Sequence, residues 1–253
     1  MIHFAILALA AFAAGIVNAL AGGGTFLTFA ALLASGIAPI TANATSTMAL
    51  YPGYFASAYA GRAAFREVSS QPELHLGRTS IIAVIGGLLG ALLLLWTPAA
   101  FFKAIVPWLV GFATLVFLIG SLMPKPDPLH PKHHALGATG ITALQLPLAI
   151  YGGYFGAGIG ILILAAMSFF GLRDIKQMNV LKLLFVGLSN SAAVAAFIFA
   201  GRILWPEALV MMVFGIVGGY FGGHLGNRLK PIYIRTFIIC VGIFLTIRYA
   251  FFA

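Results

Sequence analysis

Long apolar stretches separated by short polar segments dominate the chain. No charged side chain occurs before Arg62, and later uncharged stretches cover 79–102, 104–124, 133–172, 183–201 and 208–227. A membrane-spanning helix needs about 20 apolar residues. These runs do not alternate in polarity, which argues against the strands of a membrane barrel. The pattern predicts spanning helices near 4–18, 41–60, 79–97, 104–123, 136–151, 179–200, 207–226 and 232–252.

Two shorter apolar pieces, about 25–35 and 160–170, each follow a glycine-rich break. The first break contains Gly22-Gly-Gly-Thr25 and the second runs from Gly156 to Gly160. Each piece is too short to span alone, so we expect half-helices or re-entrant segments that are buried in protein. The predicted fold is an all-α polytopic membrane protein with about eight transmembrane helices plus two glycine-broken segments.

The two breaks occupy equivalent places in an internal duplication. A single offset of 136 residues pairs three residues of the first half with three of the second, namely Gly22 with Gly158, Gly24 with Gly160, and Asn43 with Asn179. Such an ordered series indicates a repeat. Four prolines in 124–134 disfavour helix and mark a linker. We therefore predict a first membrane repeat over 1–123, a cytoplasmic linker over 124–134 and a second repeat over 135–253.

Composition strengthens the membrane interpretation. Of the 253 residues, 62% are hydrophobic and 8% are charged, and the mean hydropathy is +1.07. The net charge of +9 comes from 14 basic and five acidic residues. These bases are spread thinly between apolar runs, so they are better read as topology markers than as a nucleic-acid surface. No nucleic-acid partner is expected.

The distribution of basic residues favours re-entrant breaks. If each broken region crossed the membrane once, the two faces would hold seven and six bases. If each enters and returns on one side, ten bases fall on one face and three on the other, as the positive-inside tendency predicts. The two repeats are then inverted, with both termini outside. The ten cytoplasmic bases are Arg62, Arg66, Arg78, Lys125, Lys132, Arg173, Lys176, Arg228, Lys230 and Arg235.

Glycine-broken helices at matching places in two halves point to a transporter's binding site. Free N–H groups and the positive dipole end of a half-helix favour an anion. The alternative is that the glycines only permit close helix packing, and for the pairs Gly86/Gly90 and Gly218/Gly222 packing is the better interpretation. The candidate anion-binding residues are Gly22, Gly23, Gly24, Thr25, Asn43, Thr45, Ser46, Thr47, Gly156, Gly158, Gly160, Asn179, Lys182, Ser189 and Asn190.

Lys182 stands apart from the loop charges because it falls inside a predicted helix. A lysine in hydrocarbon is costly unless it is paired or faces water. Asp174, eight residues earlier and before the predicted helix start, is too far along the chain to pair with it. An anionic substrate is therefore a reasonable partner, and snorkelling to the cytoplasmic interface is the alternative. His224 could relay protons, but a packing histidine is the simpler interpretation.

No catalytic or metal site is expected. The five acidic residues lie in or beside loops, no paired carboxylate or Ser/His arrangement falls within a span, and Cys240 is a single cysteine. His130, His133 and His134 stand in the proline linker and fit a solvated face better than a metal cluster. No enzyme activity and no cofactor are predicted.

With these motifs in view, the chain resembles the sulfite exporter TauE/SafE family over nearly its whole length. The most specific parts are the triple-glycine break, the Asn43–Thr47 segment, and Gly152–Gly160 with Asn179-x-x-Lys182. Ala30 stands where the family usually has proline. The resemblance implies a transporter of sulfite, related sulfur oxyanions or organosulfonates in the bacterial inner membrane, driven by an ion gradient rather than ATP.

The sequence thus favours a secondary anion transporter working by alternating access. The alternatives are a passive anion channel and a carrier of a non-sulfur organic anion. H⁺ or Na⁺ could be the coupling ion, and the packing glycines are compatible with a homodimer. The direction of transport does not follow from the sequence.

Overall fold

The computed structural model describes residues 2–20, 23–60, 62–69, 75–122, 137–169, 172 and 174–225, with 236, 239, 240, 243, 244 and 246–248. Within these ranges the regular structure is helical throughout. The described positions from 236 to 248 are helical as well. The elements in chain order are α1 (Ile2–Leu20), α2 (Thr25–Ala34), α3 (Pro39–Ala60), α4 (Arg62–Ser69), α5 (Leu76–Trp96), α6 (Ala99–Leu122), α7 (Gly137–Tyr154), α8 (Ile159–Phe169), α9 (Ile175–Phe199) and α10 (Trp205–Leu225).

The observed helices confirm the predicted all-α membrane fold. In the described part of the chain, α1, α5, α6, α9 and α10 each contain 18–24 residues apolar enough to cross a membrane. The helices α2 and α8 have 10 and 11 residues. At 1.5 Å per residue they are about 15 Å long and cannot span a bilayer. Both half-helices therefore stand where the glycine breaks predicted them.

The short helix α4 was not anticipated by the sequence pattern. Its eight residues include three charged ones, Arg62, Arg66 and Glu67, so no span was expected there. Val68 is buried, whereas Arg62 and Arg66 are exposed. Its apolar side packs on α9 and its polar side is exposed, which is the usual pattern of an amphipathic surface helix.

Hydrogen bonds show which helices begin at the same end of the molecule. His3 pairs with Glu207 at 3.5 Å, which joins the starts of α1 and α10. The Leu204 N–H donates to Thr45 Oγ1 at 3.1 Å, so the first turns of α3 lie there too. At the start of α5, Thr79 bonds to Thr142 near the start of α7. Asn43, in the first turns of α3, donates to the Tyr154 carbonyl at the end of α7, so α7 ends where α3 begins. Thus α1, α3 and α10 begin at one end, and α5 and α7 begin together at the other.

The two halves interlock through equivalent pairs of helices. The most extensive contacts are α1 with α10 and α5 with α7, so the first helix of each half packs on the third long helix of the other half. The pairs α3/α10 and α5/α9 repeat this exchange, and α3 packs on α9. This pattern relates α1, α3 and α5 to α7, α9 and α10.

Glycines make the two main interlocking contacts close. A Cβ on Gly86 would collide with the Ala149 side chain of α7, and a Cβ on Gly90 would collide with the α7 backbone. A Cβ on Gly218 or Gly222 would collide with the backbone of α1. Such contacts let helix backbones approach each other within the membrane. The prediction that these glycine pairs serve packing is therefore confirmed.

Aromatic packing holds the second break against the first half of the chain. Phe155 is fully buried, and its ring meets Phe29 of α2 edge-to-face at 5.4 Å. Phe102 of α6 meets the rings of both Tyr154 and Phe155. Edge-to-face pairs add about 0.5–1.5 kcal/mol each beyond burial. These contacts fix the chain that leads into the second break.

Candidate anion site

The two glycine breaks, distant in sequence, meet at one pocket. Residues of α1, α3 and α9 complete its wall. The pocket is narrow in this structure and leaves room for about one water molecule. Its lining residues are Asn18, Gly23, Thr25, Tyr54, Gly156, Gly158, Ile159, Gly160, Lys182, Leu183 and Val186.

The backbone at the breaks requires glycine. Gly23, Gly156 and Gly158 have φ of 101°, 74° and 79°, a region that side-chain-bearing residues rarely adopt. These turns end one helix and start the next within a few residues, so α2 begins at Thr25 and α8 at Ile159. Both half-helices therefore present their N-terminal ends to the pocket.

Helix starts leave N–H groups without helical partners. Within the described chain, the N–H groups of Gly158 and Gly160 make no backbone hydrogen bond. The partial positive charge of a helix N-terminus adds to these donors. Two such ends at one pocket form an environment that favours negative charge.

Asn18 closes the first break. Its Oδ1 accepts a hydrogen bond from the Gly24 N–H at 2.8 Å. Because the carboxamide oxygen is used in this way, the NH₂ group is the donor that this side chain offers to the pocket. Thr25 of α2 and Tyr54 of α3 line the same pocket. The first break is thus held by Asn18 and bordered by polar side chains from α2 and α3.

Lys182 is the fully buried charged residue of the described chain, with 3% of its surface exposed. It lies seven residues after the start of α9 at Ile175, about 10 Å along the helix. Among the described residues, no carboxylate or hydrogen bond pairs with it. Asp174 instead caps α9 by accepting from the Lys176 and Gln177 N–H groups. The ammonium of Lys182 therefore brings an uncompensated positive charge to the pocket wall.

The lining offers donors and no carboxylate. Lysine, amide NH₂, hydroxyl and backbone N–H groups can all donate to one small ligand. Burying a cation without a counter-charge costs free energy. An anion bound between Lys182 and the half-helix ends would neutralise the ammonium and accept hydrogen bonds from the free N–H groups. The arrangement is chemically suited to anion binding.

The predicted polar cluster in the first turns of α3 lies outside this pocket and is bonded within the protein. Asn43 Nδ2 donates to the Tyr154 carbonyl at 3.1 Å. The Thr45 hydroxyl accepts from the Leu204 N–H. Ser46 bonds to Thr28 at 2.6 Å, and Thr47 donates to the Asn43 carbonyl. The structure does not bring this cluster together with the pocket lining.

The remaining predicted residues are also separate from the pocket wall. Asn179 is half-buried on α9. Ser189 donates to the Ala149 carbonyl of α7, and Asn190 is buried in mid-helix. Gly24 lies one residue from the lining and bonds to Asn18. Gly22, the linker 124–134 with its histidines, and the side chain of His224 lie outside the described residues.

Sequence reasoning did not include Tyr54 or Asn18 in the site. Tyr54 sits in an apolar helix beside Pro52 and carries no charge, so nothing local distinguishes it. The repeat offset could have found both residues. Adding 136 takes Tyr54 to Asn190 and Asn18 to Tyr154, which pairs polar positions in the two halves.

Comparison with known proteins agrees with this architecture. The profile of the sulfite exporter TauE/SafE family matches residues 7–249. A probable membrane transporter protein, ORF9, of a Sinorhizobium species is 30% identical over 248 residues, covering 96% of this chain and 91% of that protein. YfcA of Escherichia coli K12, also a probable membrane transporter, is 31% identical over 226 residues, 88% of this chain and 79% of YfcA.

A third relative, a probable membrane transporter protein of Haemophilus influenzae, is 29% identical over 246 residues and covers 96% of this chain and 93% of its own length. These relatives are named as transporters, and the helices long enough to span a bilayer make this chain a multi-pass protein of the inner membrane. Because the family match extends over nearly every residue, the chain belongs to the sulfite exporter TauE/SafE family.

Proposed function

We propose that this membrane transporter carries a small anion of the sulfite class, including related sulfur oxyanions and organosulfonates. The observation that carries the proposal is the meeting of Lys182 with two half-helix N-termini at one pocket. The proposed ligand groups are the backbone of Gly23, Gly156, Gly158 and Gly160 and the side chains of Thr25, Asn18, Tyr54 and Lys182.

We further propose inverted repeats and alternating access. The starts of α1 and α3 lie at the same end, which supports a first broken region that enters and returns on one side. The starts of α5 and α7 lie together, and the end of α7 lies beside the start of α3. This supports equivalent helices of the two halves beginning on opposite faces. Repeats of this kind can expose a central site to each face in turn.

The narrowness of the pocket supports a carrier rather than a passive channel. A space that holds about one water molecule has the dimensions of an occluded site, not of an open conduit. In proteoliposomes a carrier should show saturating flux, whereas a channel should show flux that rises with concentration without saturation.

Ligand-induced stabilisation of the purified protein tests the substrate class. The panel contains sulfite, thiosulfate, sulfate, sulfoacetate, taurine and simple carboxylates. An anion at 100 times its Kd stabilises the folded state by about 2.7 kcal/mol, and a protein of this size gains about 2–4 °C in Tm for each kcal/mol. A shift with one sulfur oxyanion or sulfonate supports the proposal, and a flat panel contradicts it.

Lys182→Gln should abolish the shift because it removes the charge while keeping a similar volume. Lys176→Gln is the matched control, since Lys176 lies on the same helix but is exposed. The control should keep the full anion-induced shift. An unchanged shift in Lys182→Gln would remove Lys182 from the site.

A further inference from the structure

Three buried side-chain atoms of the described chain have no hydrogen-bond partner, namely Asn43 Oδ1, Gln145 Nε2 and Asn190 Oδ1. An unsatisfied buried polar atom costs about 1–3 kcal/mol, so each calls for an explanation. Asn43 is distinctive because it lies against the end of a helix, whereas Asn190 lies in the middle of α9.

The helix end beside Asn43 is rich in oxygen. The helix α7 ends at Tyr154, and the N–H groups of Phe155 and Gly156 both bond to the Tyr151 carbonyl. Among the described residues, the carbonyls of Gly152 and Gly153 accept no N–H from beyond the helix. The carbonyl of Tyr154 accepts from Asn43 Nδ2 at 3.1 Å. A helix C-terminus also carries partial negative charge.

We propose that Asn43 and the carbonyl end of α7 form a binding site for a monovalent cation, with Na⁺ as the ion. The Asn43 amide is 1% exposed and supplies one orphan oxygen. On binding, the amide turns over so that Oδ1 faces the ion together with the Tyr154 carbonyl. Two oxygens in that arrangement repel each other unless a cation lies between them.

The ligands favour a monovalent over a divalent ion. No acidic residue is buried in the part of the chain that the structure describes, and Ca²⁺ and Mg²⁺ sites in proteins usually include carboxylates. Neutral carbonyl and amide oxygens at a broken-helix C-terminus are typical ligands of Na⁺ in transporters.

The site adjoins the anion pocket through the backbone. Tyr154 lies two residues before Gly156, and the Tyr151 hydroxyl donates to the Ala157 carbonyl at 2.8 Å. A cation at Tyr154 would fix the chain that carries the Gly156–Gly160 donors. By linkage, each ion should then tighten the binding of the other. This coupling rests on the proposed transport function, although cation binding itself does not.

The test compares the Tm of the purified protein in NaCl, KCl and N-methylglucamine chloride at equal ionic strength. Na⁺ should raise the Tm above the other two cations and lower the half-saturating anion concentration. Asn43→Ala should raise the half-saturating Na⁺ concentration by about tenfold or more, equivalent to about 1.4 kcal/mol. Asn190→Ala is the matched control, because it removes an equally buried orphan amide elsewhere, and it should keep the Na⁺ effect.

Asn43→Asp guards against misfolding of the alanine variant, since it retains an oxygen and should strengthen Na⁺ binding. Equal Tm values in the three salts for the wild type would overturn the cation site. An anion response without any Na⁺ effect rejects this site and leaves the transporter proposal standing. A Na⁺ response without any anion response supports the cation site and contradicts the anion-transport proposal.

Discussion

At the scale of single residues, Gly158 combines a backbone requirement with a place in the pocket wall. Its φ is +79°, and a Cβ would lie 3.0 Å from the Cβ of Ala113. Gly36 has nearly the same φ of +80° but no atom within 4 Å. We predict that Gly36→Ala shows the cost of the left-handed backbone alone, about 1–3 kcal/mol.

Gly158→Ala should cost more stability than Gly36→Ala and should also lose the anion-induced shift. Thermal unfolding with and without the anion measures both effects. If the two variants respond to the anion equally, the second break does not hold the ligand.

The residues that sequence alone could identify were those with an unusual charge or an unusual backbone. Lys182 stood out because no other charge fell within a span, and the glycines stood out as breaks. Tyr54 was missed because nothing in its apolar sequence context marks a tyrosine that meets the other polar lining residues only after folding. The partners of Asn43 and Thr45 come from residues 111 and 159 positions away, and no local pattern reports such pairings.

At the scale of elements, close glycine contacts decide how the helices fit. Gly87 of α5 faces the backbone of Ser189 in α9, so a Cβ there would collide with main-chain atoms that cannot move aside locally. We predict that Gly87→Ala destabilises the protein by about 1–3 kcal/mol, as overpacking does. Gly77→Ala is the control, because Gly77 lies in the same helix with open space around it.

The control should be neutral or slightly stabilising, since alanine favours helix more than glycine does. Detergent-solubilised protein can be compared by Tm. Equal Tm values in the two variants would mean that the close α5–α9 contact at Gly87 does not contribute to stability.

Elements with a long apolar signal were predictable to within a few residues. Helix α8 is observed at Ile159–Phe169 against a predicted 160–170, and α5 at Leu76–Trp96 against 79–97. Helix α4 was not predictable by the same rule, because an eight-residue amphipathic helix gains its stability from packing on α9. A search for long apolar runs detects helices that insert into lipid, and it does not detect short helices that pack on the protein surface.

At the scale of the whole molecule, the proposed topology rests on two kinds of observation, the charge count and the contacts between helix starts. Ten bases against three favour a return of each broken region to its starting side. The His3–Glu207 and Thr45–Leu204 contacts place the starts of α1 and α3 together. The exchange of α1 and α7 between halves could not be read from sequence, because the repeat offset says which helices are equivalent but not which ones touch.

This topology predicts opposite locations for two reporters. A topology reporter fused after Ala253 should be active on the outer side, because the ten basic residues keep the loops that contain them in the cytoplasm. The same reporter inserted in 124–134 should report the cytoplasm and serves as the internal control. Reversing the sign of Lys103 and Arg202 should leave both locations unchanged, since removing bases from the outer face only deepens the bias. If both reporters lay on the same side of the membrane, a broken region would have to cross it. The two halves would then not be inverted.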